Sequence, residues 1–262
     1  MNNEHSSSDD TNWLLPLLLD ICEENFMFTY QEINERKLSI KKDFFHIYTK
    51  AIALRPSKWT IFNYLYDDIR KILELDQQTE SDFNEFSKDA FSISLRPEIK
   101  SIISDDLIFF KNWTNDLISI PNFPKIDNNY YFTNYGENIP IILLSALFGS
   151  YKIFNYFFNK NDLIQIKSNY GDDLIKSSII GGNHRILLIL RKLNFDLGKY
   201  LDIAITYHRN DICIWLMNNY NLNANKKLAE KEKNFDLLEQ LKFLSERSNK
   251  RLTRGGKRPH NS

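Results

Sequence analysis

The chain has 262 residues, of which 42% are apolar, 14% aromatic and 26% charged, a composition that excludes the weakly apolar, highly charged class of disordered proteins. Its 34 basic and 34 acidic residues cancel, yet residues 246–262 carry a net charge of +5 and the 245 residues before them −5. Cys22 and Cys213 form neither a CxxC pair nor a disulfide framework, which fits a reducing compartment and two plain thiols.

Residues 1–11 are polar and rich in Ser, Asn and Asp, and are expected to be a disordered leader. The run Trp13-Leu14-Leu15-Pro16-Leu17-Leu18-Leu19 follows Asp9 and Asp10, where an export signal would carry positive charge, and Asp20 cuts it short. It is read as neither signal nor membrane span, and no other stretch approaches the roughly 20 apolar residues a spanning helix needs. Residues 12–96 read as an amino-terminal helical region. Leu14, Leu17, Leu18 and Ile21 recur at helical spacing, as do Phe44, Phe45, Tyr48, Ala51 and Ile52; Ile61, Phe62, Leu65, Ile69, Ile72 and Leu73 form the longest stripe. Pro56 and Pro97 are placed to end one helix and open the next. The stretch from Ile120 to Asn138, with Pro121, Pro124 and Gly136, breaks the rhythm and reads as a long loop or a hairpin excursion.

Beyond it the chain repeats itself. Asn134-Tyr135-Gly136-Glu137-Asn138 is echoed by Asn169-Tyr170-Gly171-Asp172-Asp173. With Gly149, Gly182, His208 and Lys233 in register, the residue four places earlier is small each time: Ser145, Ser178, Ala204, Ala229. Four places later stand Ile153, Ile186, Ile212 and Leu237, and eight places later Phe157, Leu190, Leu216 and Leu241. A small side chain lets paired helices approach, and the later positions lie one above another on the buried face of the second helix. Asn183 and Asn210 are expected to cap that helix. Ser104, Asp105 and Asp106 mark an earlier unit that fits less well, with Ile99 in the small place. The turns are spaced by 33, 26 and 25 residues.

These residues resemble ankyrin repeats. Ser145 to Phe158 looks like the family's two-helix core, Asn169 to Asp173 like the glycine turn that leads into a next first helix, and the interval of 33 equals the ankyrin period. Ile102 to Leu107 and Ala204 to Ile212 look like the divergent ankyrin-type proteins of some protozoa, which pair such repeats with a helical amino-terminal region. The Thr-Pro-Leu-His opening of a standard repeat is absent, although Asn138 and Asp173 stand where its threonine would cap the helix. The resemblance covers residues 97–244. It implies an all-α solenoid of ankyrin-type helix pairs that binds a protein partner through hairpin tips and the concave helix face, without catalysis.

Candidate chemical sites do not assemble from the sequence. Gly181-Gly182-Asn183-His184 lacks the spacing of a phosphate loop and is accounted for as an inter-helix turn. No two of the five histidines stand at metal-ligand spacing. The pairs Asp105-Asp106 and Asp172-Asp173 are read as helix caps, favoured by the macrodipole. No nucleophile motif appears, and no metal or cofactor is expected. The expected binding residues lie on the finger from Asn161 to Tyr170: Asp162, Gln165, Lys167, Asn169 and Tyr170. Residues 245–262 read as a disordered basic tail, in which Lys250, Arg251, Arg254, Lys257 and Arg258 fit a nuclear import signal, an anionic-surface contact or an RNA-binding arm. The sequence thus predicts a cytoplasmic interaction scaffold, with a nuclear or nucleic-acid-associated protein anchored by its tail as the alternative.

Overall fold

The structure, a computed structural model, describes residues 11–40, 43–55, 58–73, 96–114, 119–120 and 138–255. Almost all of them are helical. Cα packing divides the chain into two compact units, Met1–Ile189 and Leu190–Ser262.

The first unit opens with α1 (Leu14–Asp20), α2 (Phe26–Glu35), α3 (Lys37–Ile40), α4 (Phe44–Leu54) and α5 (Trp59–Leu73). α1 packs on α4 and α2 on α5. Of the stripe expected on α5, Phe62, Leu65, Ile69 and Leu73 are buried, while Ile61 and Ile72 are half-buried. Tyr48 of α4 sits at the centre of this cluster, stacked on Phe44 and edge-on to Phe62, with its hydroxyl donating to the Phe62 carbonyl. Burial pushes its phenol well above the usual tyrosine range. Trp59 continues the packing edge-on to Phe148, 5.3 Å between ring centroids.

Helix pairs follow. α6 (Pro97–Ile103) and α7 (Leu107–Thr114) form the first, and Pro97 opens α6 as expected. Two short strands, β1 (Ser119–Ile120) and β2 (Ile139–Pro140), then pair antiparallel and flank the expected excursion. Residues 121–137, including the first member of the Asn-Tyr-Gly echo, lie outside the described residues. Next come α8 (Ile141–Leu147) with α9 (Tyr151–Lys160), and α10 (Leu163–Gly181) with α11 (His184–Lys192), inside which the division between the units falls. In the second unit a 3-10 turn (Gly198–Tyr200) leads to α12 (Leu201–Thr206) with α13 (Asn210–Tyr220), then α14 (Lys226–Lys231) with α15 (Phe235–Gly255).

Every pair turns in the same way. The first helix ends just before a residue of positive φ: Asp105 (52°), Gly149 (71°), Gly182 (77°), His208 (52°) and Lys233 (56°). Four places earlier stand Ser101, Ser145, Ser178, Ala204 and Ala229, all buried. The carbonyl of each accepts a turn amide: from Asp106 at 2.9 Å, Ser150 at 2.8 Å, Gly182 at 3.1 Å, Arg209 at 2.8 Å and Asn234 at 2.8 Å. This left-handed cap satisfies carbonyls that a helix end leaves without partners. Set by its left-handed residue, the earliest unit has Ser101 in the small place, so the misfit expected at Ile99 disappears. Four places after the turn, Ile153, Ile186, Ile212 and Leu237 are fully buried. In the earliest unit Phe109 is 40% exposed and Phe110 takes the core position, edge-on to Phe157.

Successive turns are also hydrogen-bonded to one another within each unit. In the first, the Asp105 carboxylate accepts from the amides of Lys152 at 2.9 Å and Ile153 at 3.1 Å, and Ser150 Oγ donates to the Ile102 carbonyl. Asn183 Nδ2 donates to the Gly149 carbonyl at 2.7 Å, while its Oδ1 caps α11 by accepting from Arg185 N at 2.9 Å. In the second unit, Asn234 Nδ2 donates to the Ile205 carbonyl at 3.1 Å and to Asn210 Oδ1 at 2.9 Å, and His208 Nε2 lies 3.1 Å from the Glu232 carbonyl. Asn210 therefore serves the next turn and does not cap its own helix, as the sequence suggested it would.

Three further expectations are corrected. Asn169 to Asp173 is no turn: it lies inside the nineteen-residue α10. Asp172-Asp173 accordingly caps nothing, and Asp173 instead pairs with Lys176 at 3.6 Å. α8 has no side-chain cap from Asn138, its N-cap position being Pro140. The last helix, α15, runs from Phe235 to Gly255.

The two helical glycines of α10 give a direct test. A Cβ on Gly171 meets nothing within 4 Å, whereas one on Gly181 would lie 1.9 Å from the Ala146 carbonyl oxygen. Gly171→Ala is expected to stabilise the protein by about 0.5–1 kcal/mol, the helix-propensity difference. Gly181→Ala should destabilise it by about 3 kcal/mol, the upper range for overpacking. Urea unfolding of the two variants checks both signs.

Candidate partner-binding surface

The finger expected between Asn161 and Tyr170 is built as a helix. Asp162 is the N-cap of α10, its carboxylate accepting from Ile164 N at 2.7 Å. An aspartate there satisfies an orphan amide and complements the helix dipole. Asp162, chosen from the sequence as a partner contact, therefore has a local structural task as well. The buried residues of α10 are Ile166 and then Leu174, Ile175, Ser177, Ser178, Ile179 and Ile180. The second half of the helix packs on α8, while residues 167–173 bury nothing. Within that span Tyr170, Gly171 and Asp173 are half-buried. Gln165, Lys167 and Asn169 are exposed and Tyr170 is half-buried on the first half of α10.

Sequence reasoning missed Ile164. It is 76% exposed beside Gln165, a large apolar side chain on an otherwise polar segment. Two places apart on one helix, Ile164 and Ile166 point to different sides, so that Ile166 is buried and Ile164 is not, a signal that helical spacing carries and hairpin spacing does not.

The basic tail is divided by the boundary of the described residues. Lys250, Arg251 and Arg254 belong to α15, while Lys257 and Arg258 lie outside the described residues. Of the histidines, His208 is a left-handed turn residue bonded to the next turn, and His184 is exposed at the start of α11. Among the described residues, no group of three or more His, Cys, Asp or Glu is placed to hold a metal ion, and no helix is long and apolar enough to cross a membrane. Cys22 is half-buried, whereas Cys213 is buried in α13. Burial, followed by the charge of Asp202, pushes the Cys213 thiol up to about 12.

With this geometry in view, residues 166–239 match a family model described as Domain of unknown function (DUF3447). The match runs from the first turn of α10 into α15 and so contains the later turns of the register, Gly182, His208 and Lys233. No curated protein and no solved structure is significantly similar to the chain.

Two measurements test this description. Asn234→Ala removes two donated bonds and the cap on Leu237 N from a buried site, and should cost about 1–3 kcal/mol in chemical unfolding. Iodoacetamide at neutral pH should modify Cys22 and spare Cys213 until the protein is denatured, as read by mass spectrometry. The raised thiol has a linked effect on stability. An unfolded cysteine ionises near pH 8.5, so the contribution of Cys213 is present below that pH and is lost as pH rises toward about 12.

Proposed function

We propose that the helix pairs from α6 onward are divergent ankyrin-type repeats forming an α-solenoid, and that the protein is a non-catalytic scaffold that binds another protein. The observation that carries this reading is the repeated left-handed turn, with a buried small residue four places before it and a hydrogen bond to the neighbouring turn. Such side-by-side units bury their apolar faces against one another and leave a row of outward positions free to vary, which suits recognition. The domain matched at residues 166–239 is one often associated with ankyrin-repeat proteins, which supports the same reading.

The binding segment on this reading is the exposed side of the first half of α10. Gln165, Lys167 and Asn169 supply polar contacts, and Tyr170 and Ile164 supply the amphipathic and apolar surface that interface anchors need. The segment is already helical, so little ordering entropy opposes binding. Asp162 holds the first turn in place.

The test is affinity capture with the native chain and with a variant carrying Ile164→Ala, Gln165→Ala, Lys167→Ala and Tyr170→Ala, all outside the packed half of α10. The variant should keep its helical circular dichroism and lose its specific partner, with binding weakened by about tenfold or more. Undiminished capture by the folded variant removes the site.

A further inference from the structure

We draw no further inference here: the strongest candidate, the open groove between α2 and α5 lined by Ile21, Phe26, Met27, Ile61, Tyr64 and Ile103 beside the Cys22 thiol, is an apolar surface for which nothing among the described residues shows what covers it.

Discussion

The structure of the helix pairs depends on one local constraint, the positive φ at the end of each first helix. A left-handed residue reverses the chain tightly enough for the second helix to fold back on the first, and its amide or the next one closes the ring onto the carbonyl of the buried small residue. Gly149 and Gly182 adopt this conformation readily, whereas Asp105, His208 and Lys233 each carry a Cβ, for which it costs about 1–2 kcal/mol. The cost is offset by what the turn makes available. Asp105 reaches the start of α9 with its carboxylate, and His208 reaches the Glu232 carbonyl with its ring. In those two units the strained residue is also the one that binds the neighbouring turn.

Turn and core are thereby coupled. The small residue before each turn allows close helix approach, and the aliphatic residue four places after it fills the space between units, a burial worth about 1.5–3 kcal/mol for each side chain. Gly181 shows how tight the approach becomes, since its missing Cβ is what admits the Ala146 carbonyl. Polar residues in these turns are consumed by structure: Ser150, Asn183, Asn234 and Asp105 all act within or between turns.

Much of this was legible in residue order. The register of small residue, turn and two large apolar positions was read from Ser145, Gly149, Ile153 and Phe157 and their counterparts, and the structure places every one of those small and large apolar residues in the core. The earliest unit was set two residues early, with Ile99 in the small place, whereas the left-handed residue is Asp105 and the small residue four places before it is Ser101. The larger error was the finger. Gly171 with its flanking Asn169, Asp172 and Asp173 has turn chemistry, yet those residues continue a helix begun by Asp162 and anchored by the packing of Leu174 to Ile180. Local preference at a few residues lost to the cooperativity of a helix held at both ends.

The sequence by itself determined most of the helices, the turns at Gly149, Gly182, His208 and Lys233 and the core residues set in register with them, because apolar spacing and left-handed turns are properties of short stretches of chain. Only the tertiary structure decided which side chains from different stretches meet. That Asp105 would cap the start of α9, 47 residues away in sequence, and that Lys111 and Lys160 would share the ring of Tyr156, follow from how the units pack together. No spacing within a single stretch encodes such meetings, since each depends on the relative placement of two elements that local preferences leave unset.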